Sequence, residues 1–352
     1  MTGVIKSFSG KGKDIKSVKK HIINNSYGGN YSEDIHIIRF YSSYVVIANG
    51  RVIKVTKPYM KYCPLAGALY SGINSSHDPS LVKDIIKEAV ESKISEFGFF
   101  TGKRSLSAGN IAIPFGASEI LMYALRKRAV DAAVVVCDGA GTVIVDKPEV
   151  VQGIGARMNG IFYTSPIGEV IERLKKAGTH TVFGDGTINQ LKGIEKAAYL
   201  GYKNIAVTIN ASMDVPVNIL RNMEKNLGIS LTSMAVCTTG ITSSRIMEIV
   251  ENTDIVWSCA SEKLREIAGR RAIMQLSMKI PVFVLTKKGL NLINSYSHDK
   301  NIMERVNPGS QYLIAGSVSK GEEVRIGNFK SYLSEAKLPV RHSQEPLMNT
   351  KE

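Results

Sequence analysis

The residues best equipped for chemistry in this 352-residue chain are cysteines at strand ends and aspartates flanked by glycine. Cys137, Cys237 and Cys259 each fall at or just beyond the carboxyl end of a predicted strand. Thiols from three strands can converge on one crevice, and a thiolate near a helix N-terminus is stabilised by the dipole. These three are therefore the candidate metal ligands, and Cys137 is also a candidate catalytic thiol. Cysteine is also among the most buried residue types, so a core role competes with this reading for each. No CxxC pair is present, which excludes a zinc ribbon on spacing.

Small-residue loops follow the same strands. Asp138-Gly139-Ala140-Gly141-Thr142 comes after the strand at 132–137, Thr238-Thr239-Gly240 after that at 233–237, and Cys259-Ala260-Ser261 after that at 254–258. Gln152-Gly153-Ile154-Gly155-Ala156-Arg157 and Gly184-Asp185-Gly186-Thr187 lie between them. Glycines and hydroxyls let backbone amides approach a phosphate or carboxylate closely. The expected ligand-binding residues are Gly139, Gly141, Thr142, Gly153, Gly155, Arg157, Thr238, Thr239, Gly240 and Ser261. Asp138 and Asp185 are the candidate proton-transfer groups, and Arg104 or Arg157 could neutralise a bound anion. Tight turns and helix caps use the same residue types, which is the plainer reading of any one loop. None matches a P-loop or the full dinucleotide fingerprint, since Gly153-Ile-Gly155 lacks the glycine three residues on.

Positioning these groups calls for an α/β fold. Asn49-Gly50 between Tyr44-Val-Val-Ile-Ala and Arg51-Val-Ile-Lys-Val predicts a hairpin with a type I′ turn. Apolar residues at helical spacing from Leu81 to Ile94 predict a helix over 81–97. From residue 117 the pattern alternates. Helices are expected at 117–128, 166–177, 190–200, 215–227, 243–252, 261–277 and 287–295, with short apolar strands between them. That alternation implies a mostly parallel, doubly wound, Rossmann-like sheet, whose ligands bind at strand carboxyl ends. The expected divisions are a flexible basic arm (1–30), a hairpin-plus-helix subdomain (31–116), a Rossmann-like domain (117–315) and a C-terminal extension (316–352).

The bulk properties narrow the class. No run approaches the ~20 apolar residues that cross a bilayer. The basic start lacks an apolar block and a cleavage site, so a reduced, cytoplasmic setting without membrane attachment is expected. Net charge is +14, with Lys6, Lys11, Lys13, Lys16, Lys19 and Lys20 concentrated in the arm. Without a zinc finger, RNP-like strand or helix-turn-helix pattern, an anionic small molecule is favoured over nucleic acid.

As an ordered set, several segments resemble the methanogenesis marker protein 8 family. They are Tyr62-Cys63-Pro64-Leu65, Val136-Cys137-Asp138-Gly139-Ala140-Gly141-Thr142-Val143, Gln152 to Arg157, Thr164-Ser165-Pro166-Ile167, Thr238-Thr239-Gly240 and Cys259-Ala260-Ser261. The resemblance runs from about residue 44 to 295. A related branch, HcgG (HmdC), is a maturation protein for the iron-guanylylpyridinol cofactor of the methanogen hydrogenase. The resemblance implies an enzyme or assembly factor that makes or inserts a metal-containing cofactor. Iron or an iron-containing group would be the metal, and the partners a phosphate-bearing small molecule and an apo-enzyme. Two rival readings are a non-enzymatic chaperone or scaffold, and a nucleotide- or S-adenosylmethionine-dependent transferase.

Overall fold

The computed structural model describes residues 34–342, apart from 59, 61, 64, 65, 68, 69, 71, 72, 75–77, 299, 300 and 317–320. The basic arm, Pro64-Leu65 and the last ten residues of the C-terminal extension lie outside the described residues.

Two sheets carry the fold. The smaller is antiparallel, in the order β3-β2-β1-β6, from β1 (Ile35–Phe40), β2 (Ser43–Ala48), β3 (Arg51–Val55) and β6 (Gly160–Thr164). Its hairpin turns where expected: Asn49 and Gly50 both have positive φ, +50° and +68°, as a type I′ turn demands. Helix α1 (Pro79–Phe97) covers this sheet. It starts on an Asp78 cap that accepts from the Ser80 amide at 2.8 Å, and it stops at Gly98, whose φ is +66°. Val82, Ile86, Ala89 and Val90 bury its apolar stripe against Ile38, Val45 and Ile47.

The larger sheet has eleven strands, in the order β14-β15-β13-β11-β12-β10-β9-β8-β4-β5-β7. They are β4 (Ala132–Cys137), β5 (Gly141–Val145), β7 (His180–Thr181), β8 (Asn204–Asn210), β9 (Ser230–Val236), β10 (Ile255–Trp257), β11 (Met274–Leu276), β12 (Val282–Val284), β13 (Tyr312–Ala315), β14 (Glu322–Ile326) and β15 (Phe329–Glu335). Only β4, β8, β9 and β10 form a continuous parallel block. Six of the ten strand pairs in this sheet are antiparallel. The expected mostly parallel, Rossmann-like sheet is therefore corrected to a mixed one. Connection length explains the difference. Three residues join β4 to β5 and five join β11 to β12, whereas a parallel crossover needs a dozen or more.

Apolar layers cover both faces of this sheet, and β4 shows how. Ala133, Val135 and Cys137 face a layer built with α2 (Ala117–Arg126), α3 (Pro148–Gly155) and α9 (Lys287–Tyr296). Ala132 and Val134 face the opposite layer, built with α5 (Gln190–Tyr199), α7 (Ser243–Asn252) and α8 (Glu262–Arg271). Strand alternation forces this two-sided arrangement. Helices α4 (Gly168–Lys176) and α6 (Leu220–Leu227) complete the described α-helices. No helix among the described residues is long and apolar enough to cross a membrane.

The two sheets are stitched together. Strand β6, from within the α/β region, completes the small sheet by pairing Ile161 with Ile38 and Gly160 with Arg39. The edge of the small sheet is thereby brought to the carboxyl ends of β8 and β9.

Candidate functional site

The expected site residues separate into two groups. The first forms a closed junction around Arg104. Asp138 is fully buried; its Oδ1 accepts from Arg104 Nε at 2.9 Å and its Oδ2 from the Phe100 amide at 2.7 Å. Arg104 is equally buried and donates onward to the carbonyls of Gly153 and Ile154, at 3.0 Å each. Its guanidinium lies 3.7 Å from the Phe99 ring centroid. A carboxylate saturated in this way joins the 98–105 loop, the β4 end and α3, and it has no path to a substrate.

The glycine-rich loop beside Asp138 is a hairpin turn, and its amides are already engaged. The Gly139 amide donates to Thr164 Oγ1 at 2.7 Å, the Ala140 amide to the Cys137 carbonyl, and the Thr142 amide to the Thr187 carbonyl. Thr142 Oγ1 accepts from the Asn189 amide. A Cβ on Gly141 would lie 2.4 Å from the Gly186 carbonyl oxygen, so this glycine serves close backbone packing. Gly153 and Gly155 lie in α3 and not in a loop. Their bare faces let the helix approach the Leu106–Ser107 backbone and the Ser118 side chain. Cys137 is in the core, donates to the Asp138 carbonyl at 3.3 Å, and has its thiol pushed up by burial. These placements correct the expectation that the 138–142 and 152–157 segments present free amides to an anion. Asp185 is exposed and caps its own turn through the Thr187 amide, which holds its carboxyl below the usual range.

The second group meets at the carboxyl ends of β8, β9 and β10. Cys237 follows β9 directly and Cys259 comes two residues after the end of β10, and both have left-handed backbones, with φ +58° and +48°. Non-glycine residues held this way cost energy and cluster at functional sites. Two side-chain bonds tie the segments together around them. Thr238 Oγ1 donates to the Trp257 carbonyl at 2.6 Å, and Thr239 Oγ1 accepts from the Ala260 amide at 3.4 Å. Ser261 caps α8 by accepting from the Leu264 amide, and Thr242 caps α7. Helices α7 and α8 therefore begin six and three residues after these thiols.

Arg39 of β1 reaches this point from the small sheet. Its Nη1 donates to Ser212 Oγ at 2.9 Å and its Nη2 to the Thr239 carbonyl at 2.8 Å. Burial lowers its affinity for the proton, opposed by the charges that Tyr44, Cys237, Cys259 and Cys63 would carry. Cys63 lies on the same side, in the segment after the hairpin. Its loop is fixed by Asn74, which accepts from the Cys63 amide at 3.0 Å and donates to the Cys63 carbonyl. Arg265 of α8, also buried, donates to the Cys259 carbonyl and is pulled down to about 10 by burial. Burial pushes the Cys237 thiol up to about 12, with Cys259 adding to the effect.

Two further features abut Cys237. A Cβ on Gly160 would lie 2.5 Å from Cys237 Sγ and 3.4 Å from Asn210 Nδ2. Asn210 is 7% exposed, and its Nδ2 has no hydrogen-bond partner among the described residues. On the other side of Gly160, Lys93 donates to Asn159 Oδ1 at 2.7 Å and to the Arg157 carbonyl at 2.9 Å. Burial lowers Lys93 to about 8. Arg157 itself stacks on Phe97 at 4.6 Å.

The structure thus brings Cys237, Cys259, Thr238, Thr239, Gly240 and Ser261 to one place and leaves Cys137 two strands away. The sequence reading missed Arg39, Cys63, Asn210, Lys93 and Arg265. Only Cys63, noted beside Tyr62 and just beyond the hairpin, had a signal in the sequence. No three His, Cys, Asp or Glu side chains among the described residues stand together as a metal ligand set. Among the described residues, soft donors therefore stand beside a cation without a closed metal cage.

Comparison with known proteins places these features in a lineage. The profile of a family described as an uncharacterized protein conserved in archaea (DUF2099) matches residues 36–297. Over 258 residues the chain is 42% identical to an uncharacterized protein of Methanocaldococcus jannaschii, covering 72% of this chain and 87% of that one.

Proposed function

We propose that this chain, which belongs to the archaeal family DUF2099, serves methanogenic metabolism as an enzyme or assembly factor for a metal-containing cofactor. One observation carries the reading: Cys237 and Cys259 leave adjacent strands β9 and β10, and Arg39 donates to the Thr239 carbonyl beside them. The resemblance to the methanogenesis marker protein 8 family and the methanogen source of the relative support it.

The metal is treated as cargo. A structural site closes its coordination with protein ligands, whereas a site that accepts or passes on a metal leaves positions open. Thiolates suit iron in its soft, sulfur-rich complexes. Such a complex carries negative charge, which Arg39 and Arg265 would balance at short range. Any phosphate on the cofactor would find the N-termini of α7 and α8 beside the thiols, where helix dipoles favour anions.

Anaerobic purification from an archaeal host, followed by metal and phosphorus analysis and an absorption spectrum, tests the reading. Expected are iron in proportion to chain and a thiolate-to-metal band that Cys237→Ser abolishes. A chain free of metal, or one whose band survives loss of both Cys237 and Cys259, would contradict it.

A further inference from the structure

Parallel register fixes how Cys237 and Cys259 face one another. Ile255 pairs with Met234 and Val256 with Ala235. Projected two residues past the ladder, that register would set Ser258 opposite Cys237 and Cys259 one residue further along the neighbouring segment. The lateral spacing of strands is about 4.8 Å and the rise per residue about 3.3 Å, giving a diagonal of about 6 Å. Disulfides form across Cα separations of roughly 4.4–6.8 Å. The bonds from Thr238 to Trp257 and from Ala260 to Thr239 hold the two segments at this spacing past the ends of the strands. Both cysteines are partly accessible, unlike Cys137.

We infer that Cys237 and Cys259 form an exchangeable dithiol that reduces the disulfide of a low-molecular-weight thiol. Cys259, whose carbonyl accepts from Arg265, is the attacking sulfur. Its thiolate forms a bond to one sulfur of the substrate disulfide, the S–S bond breaks, and the first small thiol leaves with the electron pair and takes up a proton. The Cys237 sulfur then loses its proton and attacks Cys259 in the mixed disulfide. The second small thiol leaves, and the protein retains a Cys237–Cys259 disulfide. The balance is one substrate disulfide and two protein thiols giving one protein disulfide and two small thiols. Asn210 Nδ2, buried near Cys237 and without a hydrogen-bond partner among the described residues, is a donor close to a sulfur that gains charge in the second step. This inference rests on the placement of the two cysteines and the bonds that tie their segments together, and it does not need a metal cofactor as the cargo.

The test uses the full-length chain, fully reduced, mixed anaerobically with oxidised glutathione. Released thiol is measured, and the trapped protein is digested and mapped. The expected result is release of two small thiols per chain and a single linked peptide joining Cys237 to Cys259. Cys237→Ser should stop at a glutathione adduct on Cys259 with half the release, and Cys259→Ser should lose the release. A map joining Cys63 to either cysteine, stable adducts on the wild-type chain, or no release from the folded protein would overturn the inference. The wild-type map needs no variant to fold.

Discussion

Cys237 and Cys259 leave adjacent parallel strands with left-handed backbones, φ +58° and +48°, and Arg39 donates to the Thr239 carbonyl two residues past the first of them. L-residues avoid this region, because Cβ crowds the backbone there. Two such residues at the same sheet edge direct both thiols out of the strand ladder, where Arg39, arriving from the small sheet, meets them.

Asp138 should prove structural. Its carboxylate and Arg104 are both buried, and Arg104 has further acceptors only in neutral carbonyls. Removing one partner of a buried pair leaves an uncompensated charge, at a cost of about 3–5 kcal/mol. Asp138→Asn is expected to lower unfolding free energy by that amount in urea titration. A variant of wild-type stability that had lost only ligand turnover would restore Asp138 as a proton-transfer group.

Gly160 should be required by Cys237. A methyl group at 160 meets the sulfur at 2.5 Å, which forces a shift. Overpacking of this kind costs about 1–3 kcal/mol. Gly160→Ala is expected to destabilise by that much, and adding Cys237→Ala should recover a large part of the loss. Additive losses in the double variant would show that the two do not touch.

Lys93 should titrate far below an ordinary lysine. Burial favours the neutral amine, so the folded value is about 8 against 10.5 in the unfolded chain. Between those values the unfolded chain holds more protons, and stability rises with pH through that window. Below about 8 both states are charged and the penalty is constant. The difference in stability between wild type and Lys93→Met should therefore change from about pH 8 to 10.5 and be flat beneath. A flat difference throughout would refute the shift.

Local features were legible in the sequence. Strand 132–137 and the Asn49-Gly50 hairpin follow from apolar runs and turn chemistry, and Ser261 and Thr242 from capping rules. Strand direction was less so. Asp138-Gly139-Ala140 reads equally as a loop before a helix or as a hairpin turn, and only the apolar run Gly141–Val145 after it decides. The stretch 261–277 was taken as one helix, yet it breaks at Ala272 so that Met274–Leu276 can pair with Val282–Val284. The site itself was half legible. Cys237 and Cys259 carry local signals, being thiols at strand ends. Arg39 sits in a strand whose other residues are almost all buried, and it joins them only because β6 pairs with β1 across 120 residues of chain. No local pattern encodes that pairing. Cys137 carried the same signal as its two counterparts and was misassigned. Its strand is two places from β9 and its side chain faces the core layer.

That Cys237 and Cys259, beside Arg39, are the working thiols and that Cys137 is core is the claim on which the rest depends. Anaerobic titration of the reduced chain with cobalt(II), read by its sulfur-to-cobalt charge-transfer absorption, tests it most directly. The account predicts that Cys137→Ala keeps the wild-type band, while Cys237→Ala and Cys259→Ala each diminish it. Loss of the band in Cys137→Ala with the other two unchanged would contradict it.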